Sequence, residues 1–198
     1  MPDKHSLTAL LGSRLCHDLI SPIGAIGNGM ELLQLTGDAQ GPEMELIAQS
    51  VAIANAKLRF FRIAFGVASE SQMVGGSEAE AIVAAYYKDT RVTVDWQAMG
   101  DLHRSQVKIA LLVLLCLDGC LPAGGKINVA ITADRWDMQA IGPKLRFEED
   151  HWAKFNGEDV AVEYTSSCVP FALAGEACTL GGRRPHATQG NDSIAVTF

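Results

Sequence analysis

The sequence has no apolar run long enough to cross a lipid bilayer, which takes about 20 residues. Its longest run, Ile109 to Leu117, ends at Asp118 and predicts a buried helix instead. The N-terminal segment lacks the basic and apolar stretches of a secretory signal, so we expect a cytoplasmic location. Positive charge is not in excess either, because the 198 residues carry a net charge of −7. Nucleic acid and membrane surfaces are therefore not expected partners.

Cysteine is scarce and irregularly placed, with five residues in the chain. An odd number of scattered cysteines makes no disulfide framework, so we expect reduced thiols. Cys116 and Cys120 are one helical turn apart, but a zinc site needs four ligands at a recognisable spacing. Buried structural thiols are the better interpretation, and no metal site is predicted. With 48% hydrophobic and 20% charged residues, the composition also excludes disorder.

Two long helical patterns occupy the first third of the chain. Apolar residues recur at intervals of three and four from Leu7 to Leu35, and again from Glu43 to about Ala68. The segment TGDAQGP between them predicts a turn. One helical hairpin leaves an apolar stripe uncovered, whereas two hairpins make a four-helix bundle. Residues 1–70 are therefore predicted to form a dimerisation hairpin, and the protein a homodimer.

The inward-facing rows predicted for this bundle follow from the same spacing. They are Leu11, Leu15, Leu19, Pro22, Ile26, Met30 and Leu33 on the first helix and Met44, Ile47, Val51, Ala54, Leu58, Phe61 and Phe65 on the second.

The rest of the chain alternates between helical and strand patterns. A glycine-containing linker is predicted at 69–77, and residues 76–198 form a second domain. Helices are predicted at 78–87, 103–117 and 170–180. Strands are predicted at 91–96, 126–133, 138–147 (interrupted by Gly142-Pro143), 183–188 and 193–198. This order predicts an α+β sandwich with helices on one face of one sheet.

One stripe of the first helix has an unusual composition. On a helical wheel His17 lies opposite the apolar row, so it faces solvent or a docked partner. Ser13, Ser21, Gly24 and Asn28 lie beside it, where a solvent face normally carries long, strongly helix-forming residues. Small side chains allow the backbone of another protein to approach the imidazole. We therefore predict that these four residues form a docking surface.

The residues next to His17 favour nucleophilic chemistry over a plain surface histidine. A neutral imidazole nitrogen is a good nucleophile towards a phosphoryl group. Asp18 could hold the proton of the other ring nitrogen and orient the ring, and Arg14 could neutralise phosphoryl charge. Pro22 removes one main-chain hydrogen bond and should bend the helix just past the histidine.

The segment HDLISP at 17–22 resembles the H-box of sensor histidine kinases. The longer run LCHDLISPIGAIGNGMEL at 15–32 resembles the ChpT family of histidine phosphotransferases. That resemblance implies a dimerisation and histidine-phosphotransfer hairpin followed by a degenerate kinase-like domain. It also implies a phosphorelay between a hybrid histidine kinase and response regulators, with the receiver domains of both as partners and magnesium on the receiver.

The second domain is similar to a kinase only in outline. In kinases the helix before the segment PAGGKINV, here 122–129, supplies asparagines to magnesium and the nucleotide phosphates. Here that helix reads VLLCLDGC at 113–120 and contains no asparagine. The glycine motifs that approach adenine and the phosphates are missing too. No nucleotide site and no bound cofactor are predicted.

Three functions remain open at this point. The first is a phosphotransferase that shuttles a phosphoryl group between receiver aspartates through His17. The second is a non-catalytic pseudo-kinase module that binds or sequesters response regulators. The third is an active kinase with diverged motifs. The intact segment around His17 favours the first over the second, and the missing nucleotide motifs disfavour the third.

Overall fold

The computed structural model describes residues 4–36, 41–69, 71–132 and 135–198, without the side chains of residues 4, 5 and 34–36. The central residues of the turn predicted at 36–42, residues 37–40, lie outside these residues. The described helices are α1 (Lys4–Thr36), α2 (Pro42–Ala64), α3 (Gly76–Tyr87), α4 (Arg104–Gly119), α5 (Glu149–Phe155) and α6 (Val169–Leu180). The described strands are β1 (Met73–Gly75), β2 (Val92–Trp96), β3 (Asp101–His103), β4 (Gly125–Thr132), β5 (Arg135–Ile141), β6 (His186–Gln189) and β7 (Ser193–Thr197).

Helices α1 and α2 pack against each other as the predicted hairpin. Helix α2 begins at Pro42, whose missing N–H costs nothing in the first turn, and Glu43 and Glu45 there favour the positive end of the helix dipole. The two helices approach closely at Gly29, where a Cβ atom would lie 2.6 Å from Cγ1 of Ile47. Helix α2 ends at Ala64, four residues earlier than predicted.

Part of the predicted inward row is exposed in the single chain. The side chains of Met30, Met44, Val51 and Leu58 are 44%, 38%, 41% and 51% exposed. Two helices cover only one side of each other, and the buried residues of α2 concentrate towards its C-terminal end, where Phe60, Phe61 and Ile63 meet the rest of the protein. The hairpin therefore presents an apolar face that its own chain does not cover.

The second part of the chain folds around a five-stranded sheet in the order β2-β4-β5-β7-β6. Strands β2 and β4 are parallel and the other neighbours are antiparallel. A parallel pair needs a long crossover, and helix α4 lies within it. At the entry to β4, Gly124 has a φ of 80°, and a Cβ atom there would lie 2.4 Å from the carbonyl oxygen of Arg91. The mixed helix-and-sheet architecture predicted from the sequence is confirmed.

Three details of this region differ from the prediction. Part of the predicted linker, Met73–Gly75, forms strand β1 and pairs antiparallel with β3, because three-residue strands are too short to show periodicity. Strand β5 stops at Ile141 instead of continuing to residue 147, because Pro143 has no N–H to donate to a ladder. The short helix α5, with Glu149 and Asp150 in its first turn, is not among the helices predicted from the sequence.

The core of the protein centres on α4. Its residues Ile109 to Leu117 are at most 3% exposed, which confirms the buried helix expected from the longest apolar run. The same cluster of buried side chains includes Phe60 of α2 and Trp136 of β5. The Phe60 ring stacks on Tyr86 of α3 with centroids 4.0 Å apart. The C-terminal half of α2 thus shares one core with the sheet region.

A search of the described helices for a segment with the length and apolarity that a bilayer requires found none.

Candidate phosphotransfer site on the first helix

The His17 side chain is 86% exposed on the surface of α1. Ser13, Ser21, Gly24 and Asn28 are exposed as well, so the structure brings the small-residue stripe and the histidine onto one open surface. Leu15, from the apolar row, packs against the core instead. The helical periodicity therefore places His17 where a macromolecular partner can reach it.

Asp18 holds one nitrogen of the imidazole ring. The Nδ1 atom of His17 lies 3.1 Å from Oδ1 of Asp18. An ionised carboxylate can only accept hydrogen bonds, so this contact favours the tautomer with the proton on Nδ1. The lone pair of Nε2 is then available on the exposed side of the ring, as nucleophilic attack requires.

Arg14 fixes Asp18 rather than extending into solvent. Its Nε donates to Oδ2 of Asp18 at 2.8 Å, and its Nη1 donates to the carbonyl oxygen of Ser167 at 3.0 Å. Both side chains are largely buried, with 18% exposure for Arg14 and 14% for Asp18. The guanidinium group therefore sets the position of the carboxylate that orients His17, and it joins α1 to the segment that precedes α6.

Two further polar groups near Arg14 were not singled out for the site from the sequence. Burial raises the pKa of the Tyr86 hydroxyl, and the negative charge of Asp18 raises it further. Burial also raises the pKa of the Asp118 carboxyl, while the Arg14 and Arg91 guanidinium groups oppose that rise. The Asp118 carboxylate is thus a half-buried neighbour of the site rather than a solvated helix end. The sequence carries no signal for it, since its proximity to Arg14 arises from tertiary packing.

Pro22 is buried within α1, and it leaves one backbone carbonyl of this helix without its usual hydrogen-bond donor. In a regular helix the N–H of residue 22 would donate to the carbonyl oxygen of Asp18, and proline has no N–H. Lys57 on α2 supplies the missing donor, because its Nζ donates to that oxygen at 2.7 Å. Lys57 carries no local signal of its own in the sequence, although a proline four residues after Asp18 indicates a carbonyl that needs another donor.

The cysteine side chains separate into two groups. Cys116, Cys120 and Cys178 are buried, while Cys16 is exposed next to His17. Burial raises the pKa of the Cys120 and Cys178 thiols to about 12, so they stay protonated at neutral pH. The prediction of buried structural thiols is confirmed for Cys116 and Cys120. Among the residues that the structure describes, no three or more His, Cys, Asp or Glu side chains are grouped so that they could hold a metal ion.

Comparison with known proteins assigns this fold to a class. A family model described as the histidine phosphotransferase C-terminal domain matches residues 76–188. Protein phosphotransferase ChpT of Brucella abortus (strain 2308) is 40% identical over 137 residues, covering 68% of this chain. The chain belongs to the ChpT family of histidine phosphotransferases. The match spans 65% of that relative's length.

A solved structure extends the likeness to the whole chain. A bacterial phosphotransferase superposes with a TM-score of 0.79 at 30% sequence identity, and the match covers 100% of this chain and 97% of the other. The histidine kinase AdeS of Acinetobacter baumannii is also similar, with a TM-score of 0.42 at 12% identity over 91% of this chain and 95% of the other.

Proposed function

We propose that this protein is a phosphorelay histidine phosphotransferase that shuttles a phosphoryl group between receiver-domain aspartates through His17. The observation that supports this most directly is the exposed imidazole whose Nδ1 lies against Asp18, with Nε2 directed away from that contact. Membership of the phosphotransferase family and the name of the Brucella relative support the same reaction class. The partners are the receiver domains of a hybrid kinase and of response regulators.

The transfer step uses atoms at this site and on the receiver. The lone pair of His17 Nε2 attacks the phosphorus of a receiver aspartyl phosphate, forming the N–P bond as the P–O bond to the aspartate breaks. The aspartate leaves as a carboxylate, and the ring keeps its Nδ1 proton and gains a positive charge. Asp18 stabilises that charge through the Nδ1–H contact. In the onward step a second receiver's aspartate carboxylate attacks the same phosphorus, and the neutral ring is restored.

Asp18 and Arg14 have distinct roles in this proposal. Asp18 orients the imidazole, and Arg14 holds the Asp18 carboxylate through a 2.8 Å ion pair. Arg14 contributes positive charge near the incoming phosphoryl group, as the sequence suggested, but it acts from a largely buried position. Magnesium is supplied by the receiver domain in this scheme.

The two parts of the chain have different roles in this proposal. Residues 1–70 form the dimerisation and phosphotransfer hairpin, and two copies associate through the exposed apolar residues of α1 and α2 into a four-helix bundle with two histidine sites. Residues 76–198 form a kinase-like domain without ATP chemistry. The buried residues of α4 from Ile109 to Leu117 are aliphatic apart from Cys116, whereas magnesium requires hard oxygen ligands.

A panel of phosphorylated receiver domains tests this function. Incubation with the protein should move label from a receiver to His17, and magnesium with ATP alone should give none. Label from ATP alone would show an active kinase, and binding to receivers without transfer of label would indicate a non-catalytic interaction module. Either result would refute the proposal.

The substitution Gly24→Arg tests the docking surface formed by Ser13, Ser21, Gly24 and Asn28. No atom beyond the neighbouring backbone lies within 4 Å of a Cβ at Gly24, so arginine fits the folded chain and improves helix propensity by up to about 1 kcal/mol. The bulky side chain should hold a receiver away from His17 and slow transfer by about a hundredfold. Transfer rates and melting temperatures measure the two effects.

Gly175→Arg is the matched control for this substitution. Gly175 is equally open, but it lies on α6, outside the hairpin. It should raise stability without slowing transfer. A Gly24→Arg protein with higher melting temperature and unchanged transfer rate would show that the surface is not used for docking.

A further inference from the structure

We propose that Lys57 is a residue that binds the phosphoryl group of His17. Before phosphorylation, Lys57 is bound to the carbonyl group of Asp18, which Pro22 leaves without its usual donor. This inference rests on the proposed function and adds a residue from α2 to the site. In the unphosphorylated protein the ammonium group binds the carbonyl oxygen of Asp18 at 2.7 Å. When His17 carries a phosphoryl group, the ammonium group moves to a phosphoryl oxygen.

The position of Lys57 follows from the backbone chemistry of α1. The Asp18 carbonyl belongs to the residue directly after His17, and Pro22 removes the N–H that would otherwise occupy it. A buried carbonyl without a donor costs free energy, so it attracts one from the facing helix. The pairing therefore brings a cation from residue 57 to the turn of α1 that contains the histidine.

The ammonium group of Lys57 offers more than a single carbonyl group requires. Serine and asparagine carry hydrogen-bond donors that lose less side-chain entropy on ordering than lysine, which loses about 2 kcal/mol. An ammonium group has three donors, and the Asp18 carbonyl uses one. Lys57 therefore retains both hydrogen-bonding capacity and charge for a second ligand.

The charges of the residues around His17 indicate that the second ligand of Lys57 is an anion. The charge of Arg14 is matched by Asp18 in a 2.8 Å ion pair, whereas Lys57 takes part in none of the salt bridges found among the described residues. Phosphorylation of His17 adds a dianion to a protein with a net charge of −7. Among the described residues, Lys57 is thus a cation without an ion-pair partner on the turn of α1 that contains His17, and its flexible stem lets the ammonium group move.

The test reads the electrostatic environment of the phosphoryl group directly. The full-length protein is phosphorylated with phosphoramidate, and the pKa of the phosphoryl group on His17 is followed by phosphorus NMR during a pH titration. A nearby cation favours the dianion and lowers that pKa. In Lys57→Met the pKa should rise by about one pH unit, and in Lys57→Arg it should stay near the wild-type value.

Two further variants separate charge from structure. Lys57→Gln keeps a hydrogen-bond donor for the Asp18 carbonyl and removes the charge, so its phosphoryl pKa should rise as in Lys57→Met. Lys108→Met is the matched control, because Lys108 also bridges two elements by donating to a backbone carbonyl, that of Gly66 at 2.8 Å. It should lose comparable stability and leave the phosphoryl pKa unchanged.

The outcomes distinguish this inference from the function on which it rests. A wild-type phosphoryl pKa in both Lys57→Met and Lys57→Gln would overturn the role of Lys57. Phosphoryl groups on His17 that no receiver domain accepts would contradict the proposed function alone, since the pKa comparison would still support Lys57. Failure of phosphoramidate to label His17 in the folded wild-type protein would overturn both.

Discussion

Replacing His17 with glutamine is expected to abolish phosphotransfer and leave the fold intact. The side chain is 86% exposed, and substitutions at such positions usually change the free energy of unfolding by no more than about 0.5 kcal/mol. The variant loses the Nε2 lone pair that attacks phosphorus, and an amide nitrogen does not replace it. Acid-labile label after incubation with phosphorylated receivers measures transfer, and thermal unfolding measures stability.

His186→Gln provides the control for this experiment. His186 is also exposed, but it lies at the start of the edge strand β6, and its replacement should leave transfer unchanged. Acid-labile label on His17→Gln comparable to that on the wild type would refute the assignment of the phosphoryl acceptor.

The double substitution Val51→Asp with Leu58→Asp is expected to convert the proposed dimer to monomers. These side chains are 41% and 51% exposed in the single chain, so burying the remainder is worth about 1 kcal/mol for each. A two-fold interface contains each position twice, so about 4 kcal/mol is lost before the cost of burying carboxylates is added. The dimer dissociation constant should rise by at least about a thousandfold.

Analytical ultracentrifugation of the folded variant measures that change. The monomer should stay folded, because neither side chain is needed by the core of its own chain. Leu180→Asp is the control, since Leu180 is 81% exposed at the end of α6, outside the hairpin. A wild-type protein that sediments as a monomer at micromolar concentration would contradict the four-helix bundle itself.

Local patterns in the sequence account for most of the fold. The spacing of apolar residues predicts α1, α2 and the buried α4, and the alternation around Val92, Ile127 and Ile194 predicts the strands of the main sheet. The pairing of β1 with β3 could not be predicted, because strands of three residues have no periodicity and their partners are set by tertiary contacts.

The candidate site likewise combines features that the sequence predicts with contacts that it does not predict. His17 and its small neighbours lie on one helix, so their shared face follows from the sequence. The contacts of Arg14 with Ser167 and of Lys57 with Asp18 join residues 153 and 39 positions apart, and no local pattern reports such pairs. Consequently the sequence could predict a charge role for Arg14, but not that its guanidinium group also holds Asp18.

The stacking of Phe60 on Tyr86 joins the hairpin to helix α3 within one buried core. Phe60 is fully buried between the hairpin and the sheet region, and withdrawing it would cost about 2 to 3 kcal/mol. Under the proposed function, a receiver would therefore meet the hairpin and the sheet region as one preformed surface. We then expect substitutions on the surface of the sheet region to alter which receivers are accepted, without any change at His17.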